Sequence, residues 1–507
     1  MNLWRWFNVC VAVAALVLFR GCGSASVSPP PQPTTQVAAL SSMDVQAVVQ
    51  ASASSVSDPL VIAVVDRPGN ILAIYQEPGA PATATANFEQ VAAAQEVAVA
   101  LARTAAFFSN NQAPLSSRTV RYISGIHFPP GVANTASAAL YGIENTNRGC
   151  SFNVTFAPGQ FVPRATAING SVPGLGILTG KADVNDSDAT AVNPGGVPLF
   201  KDGEAVGGVG VVTSRMDIAE FAAFSGAAAG FLPASIPAPG AVLIDGITLP
   251  FVAQTTQPSG TTPGSPNGSY VRGPISSPGP VPQGDLIVER AGAVGGLSLM
   301  EVQTIVQNAV ATADQTRAVI RLPLGQRTRM VIAVADLDGS LLALYRMDDA
   351  TVFSIDVAVG KARNMTYFNT TTANPNDLKG VPPGTAVTAR TIGFGGQPLF
   401  PSGINGTAPG PFFPLYVNDV KNPCTQGSQP ANANQTGIVF FPGSEGLYRG
   451  STLVGGLGVS GDGVDQDDYV TAGGAAGFEP PAAVRADQII INGVRLPYQK
   501  FPRNPTQ

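Results

Sequence analysis

One glycine-rich stretch occurs twice in the sequence: residues 206–211 read VGGVGV, and residues 454–459 read VGGLGV. In both places an Ala- and Gly-rich segment follows, and then a second short match, IDGI at residues 244–247 and INGV at residues 491–494. Apolar residues interleaved with glycine are typical of a strand that lies close to another element. The chain therefore carries one closing unit in two positions.

Three further matches precede this unit, in the same order in each half. They are LSSMDVQ (40–46) and LSLMEVQ (297–303), IAVVD (62–66) and IAVAD (332–336), and EVAV (96–99) and DVAV (356–359). The first pair has the early acid of a helix start, the second precedes the glycine of a hairpin turn, and the third begins a longer helix. Four matches in one order predict two divergent copies of one unit.

The repeated unit predicts an α+β fold. Each copy gives a helix, a hairpin, a long helix, a loop-rich insertion and a closing pair of strands with another helix. Hairpins imply antiparallel pairing, and helices can cover the apolar face of such a sheet. We expect two sandwich domains, residues 40–252 and 286–499, joined by a Pro- and Gly-rich linker at 253–285. The insertions are residues 109–195 and 369–445.

The first residues predict export. Arg5 precedes an apolar run at residues 9–19, which is too short to span a bilayer well, and small residues follow. We expect a signal peptide at 1–21 and a Pro- and Thr-rich tether at 22–39, with the protein in the periplasm or cell envelope. Cys22 is a candidate for lipidation, although the residues before it depart from the usual lipoprotein pattern. Plain cleavage or a retained anchor stays open.

Composition narrows the function classes. With 507 residues and 44% hydrophobic content the chain can bury two cores. The formal charge of -5 becomes -7 if Arg5 and Arg20 leave with a signal peptide, so nothing attracts nucleic acid. A single histidine rules out a site built from several histidines and allows only one centre for a Ser-His-Asp relay.

The second copy contains a dispersed pattern: AVAD (333–336), Gly339, Leu342, RMDDA (346–350), SIDVA (354–358), KAR (361–363) and GGLGVSG (455–461). In this pattern it resembles the GlcG-like, haem-degrading-domain family, to which HbpS-like haem-binding proteins belong. The resemblance implies a profilin-like or PAS-like antiparallel sheet flanked by helices, self-association, and in some members haem binding. The first copy has QEPGA in place of RMDDA and Leu101 in place of Lys361, so we expect its site to be altered or lost.

Arg346, Asp348, Asp356 and Lys361 are the polar residues that we expect at a cofactor site, because a hairpin end and a helix start could bring them together. A solvated salt-bridge cluster is the structural alternative. His127 is a candidate axial haem ligand, although a loop histidine bonded to backbone is the simpler interpretation. The sequence indicates no catalytic residue.

Two other motifs are weak. GLGVSG (456–461) fits a dinucleotide fingerprint, but no acid stands about twenty residues further on, and a strand packed on a helix explains it equally well. Asp462, Asp465, Asp467 and Asp468 could gather a calcium ion, but their spacing is not that of a hand-type loop. Acids at this place normally serve the N-terminus of a helix, so we predict no metal site.

Cys150 and Cys424 are the only cysteines beyond the leader region, and we predict a disulfide between them. They follow similar stretches, LYGI (140–143) and LYVN (415–418), so they lie at equivalent points of the repeat. Equivalent residues of two like domains meet only near a pseudo-twofold axis. Export makes the bond chemically possible, and two separate thiols are the alternative.

The leading functional hypothesis is a non-catalytic protein that binds haem or a related small, flat ligand, with the site in the second copy and possible homo-oligomers. Low charge, abundant Gly and Ala, and the altered first copy favour an alternative, a cell-surface structural or interaction protein without a small ligand. An enzyme acting on a small organic acid or tetrapyrrole would need a perturbed acid or base that the sequence does not reveal.

Overall fold

The structure is a computed structural model that describes residues 38–506 except 187, 189–190, 234–240 and 245, and it leaves out the side chains of 241–243. The predicted signal peptide, Cys22 and the tether up to residue 37 lie outside the described residues. From Ala38 onward the chain packs as one compact unit. Within the described part, every helix is too short or too polar to cross a membrane.

The two repeats share most of their helices and strands in the same order. The first contains α1 (Ser42–Ser55), β1 (Val61–Asp66), β2 (Ile71–Gln76), β3 (Thr83–Thr85), β4 (Val91–Ala93), α2 (Ala94–Phe108), α3 (Ser117–Tyr122), β5 (Gly196–Lys201), β6 (Glu204–Val212), α4 (Met216–Ala227), β7 (Ala241–Ile244) and β8 (Ile247–Pro250). Two strands follow in the connecting segment, β9 (Ser269–Arg272) and β10 (Gly284–Asp285). The second contains α5 (Leu299–Ala313), β11 (Val331–Ala335), β12 (Leu341–Arg346), α6 (Phe353–Phe368), α7 (Ala389–Gly395), α8 (Phe413–Lys421), β13 (Ser444–Arg449), β14 (Thr452–Ser460), α9 (Val464–Gly474), β15 (Ile490–Ile491) and β16 (Val494–Arg495).

Two five-stranded antiparallel sheets form the centres of the repeats. Their strand orders, β5-β6-β1-β2-β9 and β13-β14-β11-β12-β10, place equivalent strands in equivalent positions. The registers agree as well: Ile62 lies opposite Val211, and Ile332 lies opposite Val459. The predicted α+β fold, with antiparallel sheets flanked by helices, is therefore confirmed.

The connecting segment at residues 253–285 is more than a linker. β9 pairs with β2 and β10 pairs with β12, so the segment gives one edge strand to each sheet. These strands have four and two residues, which is too short for an apolar period to show among the surrounding Pro and Gly. Strand pairing in this segment was not anticipated from its composition.

The repeated glycines let a helix lie directly on each sheet. A Cβ at Gly210 would collide with the carbonyl oxygen of Ala98 in α2, and one at Gly458 would collide with that of Ala358 in α6. Only glycine permits so close an approach. The stretch that fits a dinucleotide fingerprint is mostly strand β14 against α6, not the turn before a helix that such a fingerprint requires.

The two inserted loops meet between the repeats. The structure joins Cys150 and Cys424 in a disulfide, with their Cα atoms 5.6 Å apart. Nearby, the rings of Tyr141 and Tyr416 lie 5.2 Å apart, and the Nζ atom of the buried Lys181 lies 4.6 Å from the centre of the Tyr141 ring. The equivalent positions identified in the sequence thus face each other across the repeat junction.

Candidate functional site

A large cleft opens between the two repeats, with a volume of about 1310 Å³. Ordinary ligand pockets have roughly 300 to 1,000 Å³, so the cleft has room for a large ligand. Aromatic side chains form much of its walls, namely Phe108, Phe128, Phe353, Phe394, Phe440 and Phe441. The first two come from the first repeat and the others from the second, so neither repeat forms the cleft alone.

The rings at the repeat junction are tightly ordered. Phe108 at the end of α2 stacks on Phe353 at the start of α6, with ring centres 4.2 Å apart and planes 10° from parallel. Beside them, the backbone N–H of Val352 donates to the carbonyl oxygen of Phe107 at 3.0 Å. The start of one helix is thereby fixed against the end of the other, which makes this wall rigid.

Cations are numerous around the cleft, and three of those that line it, among the described residues, pair with carboxylates. Arg390 contacts Asp465 and Asp468 at 2.6 and 2.5 Å. Lys500 also contacts Asp465, at 2.7 Å. Similarly, Arg485 contacts Asp487, another lining residue.

Three exposed arginines at the cleft differ from this pattern, and one of them, Arg495, donates to the backbone carbonyl oxygen of Asp487 at 3.3 Å. Arg317 and Arg503 line the cleft, and within the described part of the chain their guanidinium groups have no carboxylate partner. Their segments lie side by side, because the N–H of Arg317 donates to the carbonyl oxygen of Pro505 at 2.6 Å. These two groups give the cleft an available positive charge.

The C-terminal segment 497–503 forms one wall of the cleft. Hydroxyls of α7 and its N-cap hold it: Thr391 donates to the carbonyl oxygen of Pro497 at 2.7 Å, and Thr388 donates to that of Tyr498. The N–H of Lys500 donates to Asp468 at 3.0 Å. This wall is therefore fixed to the body of the second repeat.

Beneath the cleft lies a group of buried polar side chains that we call the polar floor: Lys361, Glu445, Asp467 and Tyr498. The ammonium group of Lys361 contacts Asp467 at 2.9 Å and the carbonyl oxygen of Val459 at 2.7 Å. It also lies 4.9 Å from the centre of the Phe441 ring, which lines the cleft. Only this ring separates the ion pair from the cleft on that side.

Glu445 forms the other half of the polar floor. Its carboxylate accepts hydrogen bonds from the hydroxyl of Tyr498 at 3.0 Å and from the side-chain amide of Gln499 at 2.9 Å. Both donors line the cleft. Burial raises the pKa of Glu445 to about 7, and burial likewise raises the pKa of Asp467 to about 7. Two carboxyl groups next to the cleft therefore titrate near neutral pH.

Residues 297–476 match the family model described as haem degrading protein HbpS-like. The second repeat contains an HbpS-like domain. The resemblance predicted from the sequence is thus confirmed for this repeat. Parts of the cleft lie outside the matched residues, because the first-repeat insertion and the C-terminal segment 497–503 contribute walls that the family match does not include.

Comparison with solved structures found distant likenesses. A PduOC–haem complex has 24% identity and a TM-score of 0.24, covering 36% of this chain and 94% of that one. The ORFY protein of Klebsiella pneumoniae, described as DUF336, has 19% identity and a TM-score of 0.24, covering 38% and 97%. A double mutant of HbpS from Streptomyces reticuli has 16% identity and a TM-score of 0.21, covering 39% and 97%. A search of curated proteins found no match.

The polar residues predicted from the HbpS-like pattern do not come together. Arg346 is buried at the end of β12, where it donates to the carbonyl oxygens of Ala350 and Pro282, and Asp348 is exposed. Asp356 accepts from the backbone N–H of Asn147 at 2.8 Å. None of these lines the cleft among the described residues, and only Lys361 lies next to it.

Burial shifts the pKa values of two of these predicted residues, Arg346 and Asp356. Desolvation lowers the pKa of Arg346 to about 9 and raises the pKa of Asp356 to about 6. Asp356 lines a separate cavity of about 30 Å³ beside Cys150, a volume that suits a single water molecule. The alternative of a solvated salt-bridge cluster is therefore wrong for these residues, because Arg346 and Lys361 are buried and Asp356 is half-buried, each with a separate partner.

His127 lies in the first-repeat insertion, next to Phe128 of the cleft wall. Its Nδ1 atom is 2.8 Å from the carbonyl oxygen of Thr135. This contact is the backbone-bonded arrangement considered for a loop histidine. His127 itself is not among the described residues that line the cleft.

The four aspartates before and within α9 bind cations of the protein. Arg321 contacts Asp462, Lys361 contacts Asp467, and Arg390 contacts the other two. The three aspartates within α9, Asp465, Asp467 and Asp468, therefore hold neighbouring helices to the start of α9. The described residues contain no cluster that could hold a metal ion.

Sequence reasoning missed Glu445 and Tyr498. Neither belongs to a motif, but the repeat itself contained a signal: a polar residue in one copy aligned with an apolar residue in the other. Glu445 aligns with Val197, and Tyr498 aligns with Phe251 in the matching LPY and LPF triplets. Applying the Leu101 and Lys361 comparison to every aligned position would have found both.

Proposed function

We propose that this protein binds haem or a related flat, anionic ligand in the cleft between its repeats. The observation that carries the proposal is the cleft itself: a space of about 1310 Å³ with aromatic walls and, among the described residues, three arginines without carboxylate partners. Flat apolar ligands pack on aromatic faces, and guanidinium groups pair with carboxylates. The HbpS-like match and the haem complex of the PduOC relative support haem as the first ligand to test.

The residues present fit the ring and carboxylates of haem. Phe440 and Phe441 would contact the ring, and Arg317 and Arg503 would hold its carboxylates. Among the described lining residues no His, Met or Cys is available as an iron ligand, and the hydroxyl of the lining residue Tyr498 is bonded to Glu445. Bound haem would supply an iron centre for redox or gas-ligand chemistry, while the protein recognises the ring and its charge.

We also propose that the protein is exported to the periplasm or cell envelope. The leader-like first residues support this, and so does the disulfide between Cys150 and Cys424, because such bonds persist in oxidising compartments. Cleavage, with or without lipidation at Cys22, would be read directly from the mass of the mature N-terminal peptide.

Titration of the full chain with haemin tests the proposed ligand. We expect a saturable Soret shift for the natural protein and at least a tenfold weaker affinity for Ala139→Trp, because the exposed Ala139 lines the cleft and an indole there would compete with the ligand for space. Ala133→Trp is the matched control, since Ala133 is exposed in the same insertion and is not among the lining residues.

A pair of double variants tests whether the positive charges of the cleft contribute to haemin binding. Arg317→Ala with Arg503→Ala should weaken haemin binding about tenfold or more, whereas Lys379→Ala with Lys421→Ala removes two exposed charges elsewhere and should leave it unchanged. Nonspecific broadening without saturation in the natural protein would instead favour the structural or interaction protein.

A further inference from the structure

The polar floor has an apolar counterpart in the first repeat. Lys361, Glu445, Asp467 and Tyr498 correspond to Leu101, Val197, Ala219 and Phe251. Strand pairing establishes one of these equivalences: Glu445 lies opposite Leu457 and Val197 opposite Val209, which are matching residues of the glycine-rich strands.

Backbone contacts establish a second equivalence. The carbonyl oxygen of Phe251 accepts from the hydroxyl of Ser116, and that of Tyr498 accepts from the hydroxyl of Thr388. Ser116 and Thr388 are the N-cap residues of α3 and α7. The alignment of the repeats sets the remaining two pairs, which stand at matching positions of α2 and α6 and of α4 and α9.

The first repeat demonstrates that the fold does not need polar groups at these positions. Its four counterparts are all at least 95% buried, and they complete the packing of the same sheet and helices. Burying charged groups costs free energy that an apolar core avoids. Retention of two acids, a lysine and a phenol in the second repeat therefore indicates a role other than folding.

The polar floor is also incompletely satisfied. Atom Oδ1 of Asp467, a residue that is 2% exposed, has no hydrogen-bond partner among the described residues. The charged and titratable groups that face the two acids come from every element around them: Lys361, Arg390, Asp462, Asp468 and Lys500 near Asp467, and Tyr448, Asp468, Glu479, Arg485 and Tyr498 near Glu445. The acids outnumber the cations that pair with them directly, which leaves room for a proton.

We propose that the polar floor is a proton-exchange site, which takes up a proton when an anionic ligand occupies the cleft. The inference rests on the proposed function and adds a coupling to it. Negative charge placed against Phe441 and Tyr498 would act on Glu445 and Asp467 through a medium of low dielectric constant, and it would favour their protonated forms. Because both acids have a pKa of about 7, a small change in field alters their protonation near neutral pH.

Two measurements on the full chain test the coupling. First, haemin affinity is measured by Soret titration between pH 6 and pH 8. Uptake of one proton predicts that affinity falls by up to tenfold per pH unit as pH rises. Second, the proton taken up on adding stoichiometric haemin is measured directly with a pH indicator in weakly buffered solution.

The variants are taken from the first repeat. Glu445→Val with Tyr498→Phe, and Lys361→Leu with Asp467→Ala, install the residues that already pack at the equivalent positions. Glu445→Gln is the conservative variant in case a larger change impairs folding, and Glu89→Gln removes an exposed acid elsewhere as the control. We expect the first three to bind haemin with a smaller pH slope and less proton uptake, and the control to match the natural protein.

The outcomes are distinguishable. Because the haemin carboxylates titrate alike in every sample, only the difference between variants reports on the polar floor. Saturable binding with the same slope and proton uptake in all variants would overturn the inference and leave the proposed function standing. Failure of the natural protein to bind haemin saturably would overturn both.

Discussion

The two repeats differ in which buried ion pairs they retain. Arg118 contacts Glu220 at 2.7 Å in the first repeat, and Arg390 contacts Asp468 at 2.5 Å at the equivalent place in the second. This pair ties α3 to α4 and α7 to α9, so the shared fold accounts for it. The pair formed by Lys361 and Asp467 exists only in the second repeat. The Arg118–Glu220 and Arg390–Asp468 pairs therefore belong to the shared fold, whereas the Lys361–Asp467 pair belongs to the second repeat alone.

A second shared contact strengthens the comparison. The guanidinium group of Arg103 donates to the carbonyl oxygen of Gly69 at 3.2 Å, and that of Arg363 donates to the carbonyl oxygen of Gly339 at 3.0 Å. Both arginines hold a hairpin turn against the long helix. The repeats therefore share their turns, their glycine-rich strands and their helix contacts, and they diverge at the polar floor.

The largest expected effect concerns the bond that joins the repeats. Reducing the disulfide, or replacing Cys150 and Cys424 with serine, should lower the free energy of unfolding by about 5 to 6 kcal/mol in the chain-entropy model, because 274 residues separate the two positions. Urea unfolding of the oxidised protein and the double variant measures the difference.

Peptide mapping tests whether the disulfide between Cys150 and Cys424 forms. A non-reduced digest should contain a linked pair of peptides with Cys150 and Cys424. Alkylation of both thiols without prior reduction would contradict the bond, and equal stability of the oxidised and serine proteins would show that the repeat contact holds without it.

The next effect contrasts one change with two. Asp467→Ala alone leaves Lys361 buried without its carboxylate, and we expect a loss of about 3 to 5 kcal/mol in the free energy of unfolding. Lys361→Leu with Asp467→Ala installs the first-repeat pair and should cost at most about 1 kcal/mol, since the uncompensated charge is removed. Urea unfolding of both variants, together with Lys361→Leu alone and the natural protein, completes a double-mutant cycle that gives the coupling free energy. If the losses of the two single variants added up in the double variant, Lys361 and Asp467 would not stabilise each other, and the first-repeat residues would not pack in their place.

The sequence predicted the frame well and the site only in part. Order and spacing of the repeated stretches gave both sheets, because hairpins and helix starts depend on local patterns such as Ser41 with Asp44 and Ser298 with Glu301, which form capping boxes in the structure. The cleft could not be predicted in the same way. Its walls come from segments as distant as residues 128 and 498, which only the packing of the repeats brings together.

The predicted cofactor residues show the limit of a family pattern. Arg346 and Asp356 belong to the HbpS-like pattern, yet the first is buried, the second is half-buried, and both are bonded mainly to backbone groups. A pattern of polar residues does not reveal whether their side chains face a cavity or support a turn. Lys361 was the informative residue of the pattern, because the first repeat has Leu101 at the same position. The fold therefore accepts either a lysine or an apolar residue there.

The smallest effect is a pH dependence caused by Glu445, whose counterpart in the first repeat is the apolar Val197. Burial raises the pKa of Glu445 from 4.5 to about 7, so the folded protein binds more protons than the unfolded chain between these values. Stability is therefore lost as pH rises from about 4.5 through 7, when Glu445 must ionise in a buried place. Glu445→Gln keeps an acceptor for Tyr498 without this cost, and it should exceed the natural protein in unfolding free energy by about 1 to 3 kcal/mol at pH 8.

At pH 5 the advantage of Glu445→Gln should be much smaller, because the folded protein then keeps the natural carboxyl group protonated, and only the partial ionisation of this group in the unfolded chain still favours unfolding. Urea unfolding at both pH values measures the difference, with Glu89→Gln as the exposed control that should differ little from the natural protein at either. An equal advantage at pH 5 and pH 8 would mean that Glu445 ionises as readily in the fold as in water. The contrast with Val197 would then be one of packing alone, and Glu445 would no longer count as a proton-exchanging acid of the polar floor.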